Sequence, residues 1–258
     1  MSDLILRNDT EASVTRLVLN SDRNLNALSD GMLAELSVQL DEIAADTTVK
    51  AVILAGAGRV FCAGHDLKEM TAKRTAVDGG KAGFIDLFQR CSAVMQQITT
   101  LPQPVIAEVH NIATAAGCQL VATCDLAIAA EGTRFGVNGV NIGLFCSTPM
   151  VALTRNIPRK QAFELLTTGE FLDADQAVSL GLINRVVPAE DLQNATMELA
   201  EKIAGKLPSA VKIGKEAFYK QLEMPLSEAY DYTGQVITEN MMLRDTEAMI
   251  ETFINRKK

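Results

Sequence analysis

The first half of the chain places its apolar residues at two different spacings, one typical of strands and one typical of helices. Val14–Leu19 follows the alternating pattern of a half-buried strand, and Ala51–Leu54 is a short continuous apolar run. Ser29 is a candidate N-cap for a helix between them, because its hydroxyl can accept from a free backbone N–H. The apolar face of this helix is predicted at Leu33, Leu36, Leu40 and Ile43.

A second, longer helix is predicted before Pro102 and Pro104, which end it because proline does not continue a helix. Val105–Ala107 is the next predicted strand, followed by a helix at Ala115–Thr123 and a strand at Asp125–Ala129. Strands that alternate with helices indicate right-handed βαβ units around a core, so the predicted fold class is α/β. The apolar stripe of the longer helix comprises Phe84, Leu87, Phe88, Cys91, Val94, Met95 and Ile98.

The second half of the chain is mainly helical in pattern. Pro149 and Pro158 stand where helices can begin, with Ser147, Thr148 and Asn156 as candidate caps. Further along, the predicted elements are a helix at Ala174–Leu180 closed by Gly181, a strand at Ile183–Val187, a helix from Pro188 and helices from Pro208 onward.

Composition narrows the range of partners and compartments. The 258 residues are 48% hydrophobic and carry a net charge of −8, which does not suit a protein that binds nucleic acid through clustered cations. The nearest basic patch is Arg256-Lys257-Lys258, for which a solvated tail is the simpler interpretation. No apolar run approaches the roughly 20 residues of a membrane helix, and Met1–Ala12 does not resemble a signal peptide. We therefore expect a cytoplasmic protein that binds neither nucleic acid nor membrane.

Cysteine and histidine usage argues against several kinds of site. The five cysteines are an odd number without a Cys-x-x-Cys pair, which does not suit a disulfide framework or a zinc site. Only His65 and His110 are present, so a multi-histidine metal centre is impossible and a Ser-His-Asp triad is not expected. We predict no metal site.

Two glycine-rich segments, residues 56–70 and 112–120, each follow a predicted strand and precede a predicted helix. Small residues let a ligand approach the backbone, and a helix N-terminus offers unpaired N–H groups. Two such N–H groups that converge on one point make an oxyanion hole. For each segment alone, a plain strand–helix turn is the more frequent explanation. A nucleotide loop at Gly56-x-Gly58 is the weakest alternative, because the third glycine of the dinucleotide pattern is missing.

In combination, these segments resemble the crotonase (enoyl-CoA hydratase/isomerase) superfamily over about residues 2–253. Within it, Gly64-His-Asp-Leu-Lys68 and Gly139-Val-Asn-x-Gly-Leu-Phe-Cys-Ser-Thr-Pro149 resemble the enoyl-CoA hydratase domain-containing proteins of the third type. The superfamily motifs are Asn26-Ala-Leu28, Phe61-Cys-Ala-Gly-His-Asp-Leu-Lys68, Gly117-Cys-Gln-Leu-Val-Ala-Thr-Cys-Asp125, Phe135-Gly-Val-Asn-Gly-Val-Asn-Ile-Gly143 and Thr168-Gly-Glu-x-Leu-x-Ala-x-x-Ala-x-x-x-Gly-Leu-Ile-Asn-x-Val-Val-Pro188.

The resemblance implies a ClpP/crotonase-like spiral of ββα units at residues 1–200 and a helical C-terminal trimerisation region at residues 201–258. It also implies a homotrimer or a dimer of trimers that acts on acyl-CoA thioesters. Coenzyme A is then part of the substrate, and no further cofactor is expected. Candidates for the apolar interface or core in the C-terminal region are Tyr230, Met241, Met242 and Phe253.

The same resemblance assigns roles to individual positions. The two oxyanion-hole donors correspond to the backbone N–H groups of His65 and Ala116. Asp66 is also a candidate helix cap, and solvated surface charges are an equally good interpretation of Arg23 and Lys68. The positions that resemble the coenzyme A contacts are Arg23, Ala63, Asp66, Leu67 and Lys68.

The chain departs from the family at the two positions that carry the catalytic glutamates of hydratases. These positions hold Gln119 and Gly139, and neither side chain exchanges a proton near pH 7. We therefore predict weak or absent hydration of enoyl-CoA. Two alternatives stay open: a non-catalytic acyl-CoA-binding or regulatory protein, and an acyl-CoA hydrolase, decarboxylase or isomerase. His65 is the candidate substitute for proton transfer, since a histidine titrates in the right range.

Overall fold

The computed structural model describes residues 4–255, and its strands form two sheets. The strands are β1 (Ile5–Asp9), β2 (Val14–Leu19), β3 (Ala51–Gly56), β4 (Val105–Val109), β5 (Ile112–Thr114), β6 (Leu126–Ala130), β7 (Arg134–Gly136), β8 (Phe171–Asp173) and β9 (Arg185–Val187). The main sheet has the order β1-β2-β3-β4-β6-β9, in which only β1 runs antiparallel to its neighbour. The smaller sheet has the order β5-β7-β8.

The helices connect these strands and then continue alone to the end of the described chain. They are α1 (Asp30–Ala45), α2 (Leu67–Lys73), α3 (Lys81–Thr100), α4 (Ala116–Thr123), α5 (Pro149–Asn156), α6 (Arg159–Thr168), α7 (Ala174–Leu180), α8 (Leu192–Ala204), α9 (Pro208–Gln221), α10 (Leu226–Met241) and α11 (Arg244–Asn255). None of the described helices is long and apolar enough to cross a membrane. The basic residues 256–258 lie outside the described residues.

The main sheet is covered on both faces, which explains the uninterrupted apolar run of β3. Val52 and Leu54 of β3 belong to the large core cluster that includes the buried sides of α1 and α3. Ile53, on the opposite face, packs with Ala200 and Ala204 of α8. A strand buried on both faces needs apolar residues at every position, because successive side chains point to opposite sides.

Most predicted elements of the first half are confirmed. The strand at Val14–Leu19 has the expected bounds, and the face of α1 with Leu33, Leu36, Leu40 and Ile43 is buried. Ser29 caps α1 by accepting a hydrogen bond from the N–H of Met32 at 3.1 Å. The strand predicted at Asp125–Ala129 begins and ends one residue later, at Leu126–Ala130. The carboxylate of Asp125 accepts a hydrogen bond from the N–H of Val105 at 2.6 Å.

Several predicted boundaries in the second half are wrong. Pro149 is the first residue of α5, but neither Ser147 nor Thr148 supplies a side-chain cap. Asn156 ends α5 instead of capping the next helix, and its amide donates to the carbonyl of Ala122 at 2.8 Å.

The strand predicted from Ile183 begins only at Arg185, because the N–H groups of Leu182 and Ile183 close the end of α7 on the Ala177 carbonyl. Pro188 is followed by a short 3-10 turn, Ala189–Asp191, before α8 starts at Leu192.

A buried ion pair joins the C-terminal helices to the core. Nζ of Lys215, on α9, donates to Asp125 at 2.6 Å and to the carbonyls of Ile98 and Gln103. The hydroxyl of Tyr219 donates to the other carboxylate oxygen of Asp125 at 2.8 Å. Burial lowers the pKa of Lys215, although the Asp125 carboxylate opposes that shift. This contact fixes α9 against the ends of α3 and β6.

The remaining C-terminal helices bury few of their apolar side chains against the described chain. The residues proposed as interface or core, Tyr230, Met241, Met242 and Phe253, are 52–80% exposed and so do not belong to the core of this chain. The predicted boundary between residues 200 and 201 falls within α8, whose Ala200 and Ala204 pack on the main sheet. The division into two regions stays a prediction.

Candidate active site

A cavity of about 640 Å³ opens where the two glycine-rich segments meet the loop before α5. All but one of the predicted site residues line it; the exception is Gln119. Those that line it are Arg23, Ala63, His65, Asp66, Leu67, Lys68, Ala116 and Gly139. The structure thus brings together positions that lie more than 100 residues apart in the sequence.

The N–H of His65 points away from the strand-like segment that holds it. The carbonyl of Gly64 accepts from the N–H of Leu28 at 2.7 Å, and the described peptide bonds are trans. In a trans peptide the C=O and N–H point in opposite directions, so the His65 N–H faces away from Leu28. The N–H of Ala63 also donates to the Leu25 carbonyl at 3.0 Å, so two backbone hydrogen bonds attach residues 63–64 to residues 25–28.

Asn26 explains why this attachment is rigid. Its fully buried side-chain amide donates to the carbonyls of Ala57 and Val60, both at 2.8 Å, and its oxygen accepts from the Ser21 N–H. These bonds tie the loop after β3 to the segment that carries Leu28. The Asn26-Ala-Leu28 motif therefore positions the backbone and does not touch the ligand cavity through Asn26.

The N–H of Ala116 lies at the start of α4. The carbonyl of Ala115 accepts from the Gln119 N–H at 3.0 Å, which orients the Ala116 N–H out of the helix end, where no intrahelical partner exists. Ala115 adopts φ 51° and ψ −119°, an uncommon backbone conformation for a residue with a side chain. Strain of this kind concentrates at functional sites.

The two donor segments pack backbone against backbone. Gly64 has φ +93°, and a Cβ atom built there would lie 2.9 Å from Cβ of Ala115 and 3.2 Å from the nitrogen of Ala116. A Cβ on Gly117 would overlap the carbonyl oxygen of Cys62. Glycine at both positions permits this approach, which brings His65 and Ala116 to the wall of one cavity.

Asp66 acts as the predicted cap of α2. Its carboxylate accepts from the N–H groups of Lys68 and Glu69, at 2.8 and 3.2 Å. Arg23 and Lys68 are both exposed and line the cavity, so their cationic ends can reach a bound anion from solvent. Asp66 therefore holds the helix that carries Lys68 in place.

Gln119 lies on α4 one turn after Ala116 and is only 5% exposed. Its Oε1 atom has no hydrogen-bond partner within residues 4–255. Side chains of a helix lean toward its N-terminus, so the Gln119 amide is directed toward the turn that contains Ala116. It sits behind the cavity wall and not in it.

Gly139 is enclosed by its own loop. It lies in a 3-10 turn, Asn138–Ile142, and its carbonyl accepts from the Leu144 N–H at 2.9 Å. A Cβ atom on Gly139 would overlap the Leu144 carbonyl oxygen and lie 2.9 Å from Sγ of Cys146. This loop conformation leaves no room for any side chain at position 139.

The described cavity wall near Gly139 is mostly apolar. Burial raises the pKa of the Cys146 thiol, although the Gly139 N–H opposes that shift, so the thiol is protonated at neutral pH. Oδ1 of Asn138 accepts from the Thr114 hydroxyl at 2.7 Å, so this amide is already engaged. The apolar lining residues for which the sequence predicted no site role include Met70, Phe88, Leu144 and Phe145. Phe88 carried a helical apolar signal, which does not distinguish a cavity wall from a core.

The His65 side chain faces the protein more than the cavity. Its Nδ1 lies 3.2 Å from the Leu28 carbonyl oxygen, and its ring meets Phe88 edge-on at 5.6 Å between centroids. Nε2 is shielded and has no partner among the described residues. Burial lowers the pKa of the imidazole, against smaller opposing effects of the Leu28 carbonyl and Asp30. The ring is therefore neutral at pH 7.

Comparisons with known proteins agree with this arrangement. A sequence profile of the enoyl-CoA hydratase/isomerase family matches residues 9–258. The chain belongs to this family. The enoyl-CoA hydratase domain-containing protein 3 of Homo sapiens is 44% identical over 95% of the chain and 79% of its own length. That of Xenopus laevis is 43% identical over 96% of the chain and 83% of its own length.

Solved structures confirm the crotonase fold of this family member. A crystal structure of an enoyl-CoA hydratase from Mycobacterium smegmatis has a TM-score of 0.94 and 48% identity, covering 98% of this chain and 96% of that one. The human domain-containing protein 3 has a TM-score of 0.93 and 42% identity, covering 99% and 98%. The vertebrate relatives are named mitochondrial, which overturns the expected cytoplasmic location. That expectation rested on N-terminal composition, which carries little information about compartment.

Proposed function

We propose that this family member binds acyl-CoA thioesters and stabilises negative charge on the thioester carbonyl oxygen. The proposal is supported by two observations: His65 and Ala116 line the same cavity, and their N–H groups face away from Leu28 and from the body of α4. A helix N-terminus adds positive potential beside Ala116. An oxygen that becomes anionic in an enolate gains more from such donors than the neutral carbonyl does, and loss of one donor costs roughly 3 kcal/mol of barrier.

In this proposal the coenzyme A part of the substrate contacts the segment from Ala63 to Lys68. Arg23 and Lys68 supply positive charge to its phosphates, since both are exposed and line the cavity. Leu67 and Ala63 contribute wall contacts. No cofactor beyond the substrate's own coenzyme A is required for oxyanion stabilisation.

We further propose that hydration of enoyl-CoA is weak or absent. Hydration needs one group to activate water and another to protonate the α-carbon, and each such group contributes about 10²–10⁴-fold. The Gln119 amide cannot exchange a proton near pH 7, and no side chain fits at Gly139. The neutral His65 ring exposes neither nitrogen to the cavity in a way that supports proton transfer.

Two measurements on the purified protein test these statements separately. Calorimetric titration with hexanoyl-CoA measures binding, and we expect saturable binding that weakens in an Arg23→Gln/Lys68→Gln variant. The double variant Arg159→Gln/Lys160→Gln, which removes one exposed arginine and one exposed lysine outside the cavity wall, is the matched control. Loss of the crotonyl-CoA absorbance measures hydration, and we expect no turnover above background. Absence of hexanoyl-CoA binding would refute the proposal that the protein binds acyl-CoA thioesters. A hydration rate typical of hydratases would refute the proposal that hydration is weak or absent.

A non-catalytic acyl-CoA-binding protein is the second candidate, and the closed loop at Gly139 favours it. It predicts tight binding of acyl-CoA with no product from any substrate class. A panel of saturated, β-keto, malonyl-type and unsaturated acyl-CoA compounds separates it from a hydrolase, decarboxylase or isomerase when the products are analysed by liquid chromatography, which resolves double-bond isomers of equal mass, coupled to mass spectrometry. Release of free coenzyme A, loss of carbon dioxide or migration of a double bond identifies the last three.

We also propose that the chain assembles as a homotrimer or a dimer of trimers through its C-terminal region. The support is the exposure of Tyr230, Met241, Met242 and Phe253 on α10 and α11, since isolated domains rarely leave so much apolar surface exposed. Sedimentation equilibrium measures the mass directly. A monomer at micromolar concentration would contradict the assembly.

A further inference from the structure

His65 has a side chain that the proposed function does not use, although its own backbone N–H is one of the two donors. The ring is attached at two points. Nδ1 lies 3.2 Å from the Leu28 carbonyl, and the ring edge packs on Phe88 of α3. A carbonyl oxygen only accepts hydrogen bonds, so the proton of the neutral ring is on Nδ1.

Leu28 therefore contacts both the Gly64–His65 peptide and the His65 ring, a pair of contacts that we call the Leu28 clamp. Its N–H donates to the carbonyl of Gly64 at 2.7 Å, and its carbonyl accepts from the His65 ring. An isolated parallel bridge pairs the same two residues. Leu28 is itself fully buried, and the next residue, Ser29, caps α1, so this anchor cannot shift easily.

The Leu28 clamp restrains the Gly64–His65 peptide, which carries the donor N–H of His65. Gly64 has φ +93°, and glycine has little intrinsic preference that would fix the orientation of the Gly64–His65 peptide. The hydrogen bond between the His65 ring and the Leu28 carbonyl supplies a second restraint, on the C-terminal side of Gly64. Without it, the peptide would keep the bond from the Leu28 N–H and the neighbouring pairing of Ala63 with Leu25, but would lose the restraint beyond Gly64.

We propose that the His65 imidazole is a positioning residue, which directs its own backbone N–H toward the cavity by bonding the Leu28 carbonyl, and that it is not a proton-transfer group. The shielded, unpartnered Nε2 agrees with this role, because a general base must expose that atom to the ligand. This inference rests on the proposed binding of acyl-CoA thioesters.

The carbonyl stretch of bound hexanoyl-CoA labelled with ¹³C at the thioester carbon measures the donors directly, by isotope-edited infrared difference spectroscopy. In wild type we expect a shift to lower frequency relative to free hexanoyl-CoA. The variant His65→Asn places an amide N–H near the position of Nδ1 and should retain most of the shift. His65→Phe keeps a ring against Phe88 but has no donor, and should lose most of it. Hexanoyl-CoA affinity should fall by less than about tenfold, as for one hydrogen bond.

Each outcome discriminates. A full shift in His65→Phe, or equal losses in the Asn and Phe variants, would overturn the positioning role. If wild type binds hexanoyl-CoA without any carbonyl shift, the proposed oxyanion hole fails and the positioning role fails with it. His65→Leu serves as a second donor-free variant if His65→Phe does not fold, and His110→Phe, outside the cavity wall, should leave the shift unchanged.

Discussion

Gly139 and Leu144 pack so closely that a Cβ atom on the glycine would overlap the leucine carbonyl oxygen. The Leu144 N–H also donates to the Gly139 carbonyl at 2.9 Å, so both halves of the contact are backbone. Position 139, which the family resemblance predicts to match a catalytic glutamate of hydratases, therefore has no free space for a side chain. A simple exchange of residues cannot restore that carboxylate unless the loop changes its conformation.

The variant Gly139→Ala should lose stability because its methyl group has no space. We expect a loss of about 1–3 kcal/mol in the free energy of unfolding, as for other overpacked sites, together with weaker hexanoyl-CoA binding. Urea-induced unfolding measures the first quantity. Gly214→Ala is the matched control, since a Cβ there meets nothing within 4 Å in the middle of α9 and should stabilise the helix. Equal stability of Gly139→Ala and wild type would show that the loop yields freely.

The variant Gln119→Glu should gain hydration of crotonyl-CoA when the new carboxyl group turns from behind the cavity wall toward the ligand. Burial raises the pKa of a carboxyl group at this position, so that it can donate a proton to the α-carbon. With one of the two groups restored, we expect a gain of about 10²-fold over wild type, at the lower end of the usual contribution. Gln119→Met, similar in size and unable to transfer a proton, should remain inactive. If Gln119→Glu stays at background, the Gln119 side chain does not reach the substrate.

Adding Gly139→Glu to that variant should bring no further gain, because the second carboxylate cannot enter the site as it stands. The double variant should also unfold at a lower urea concentration than Gln119→Glu alone. A large additional rate would contradict the closed loop and indicate that Leu144 and Cys146 move aside.

Lys215→Met should destabilise the protein, because it leaves the buried Asp125 carboxylate without its cation. Removing one partner of a buried pair costs about 3–5 kcal/mol, and urea-induced unfolding measures this loss. Lys220→Met is the matched control on the same helix. It breaks an exposed pair with Glu216, and exposed pairs contribute little, so its unfolding midpoint should hardly change. Similar midpoints for the two variants would mean that Lys215 does not anchor α9.

Stability should depend on pH through His65. Burial lowers the pKa of its imidazole below the ordinary 6.5, so between these values the unfolded chain binds a proton that the folded chain does not. The contribution of His65 is complete above pH 6.5 and is lost as the pH falls through the lowered pKa. The pKa of the paired carboxyl group of Asp30 is lowered from its ordinary 3.8, so its effect on stability changes only below pH 3.8.

We therefore expect wild type to be less stable at pH 5 than at pH 7.5, and His65→Asn to show a smaller difference. Urea midpoints at the two pH values measure both. The variant His110→Asn separates the two histidines. If the pH dependence disappears in that variant and persists in His65→Asn, the assignment to His65 is wrong.

The sequence by itself determined the elements and the family. Helical spacing located α1 and α7, because burial on one face imposes that spacing. Alternation located β2, although the structure buries both faces of this strand. The motifs around Asn26, Gly64 and Gly117 indicated two backbone donors, since glycine and a helix start are local features. The resemblance to the family further predicts that Gln119 and Gly139 stand where hydratases carry their two proton-transfer glutamates.

Only the tertiary structure decided how these positions meet. The approach of Gly64 to Ala116, the clamp of Leu28 on His65 and the closure of Gly139 by Leu144 all join residues whose contacts no local pattern encodes. The apolar spacing along α3 predicts that Phe88 is a core residue. In the structure α3 passes beside His65, and Phe88 lines the cavity instead. Such contacts depend on how the sheet and loops pack, and chain spacing does not fix that packing.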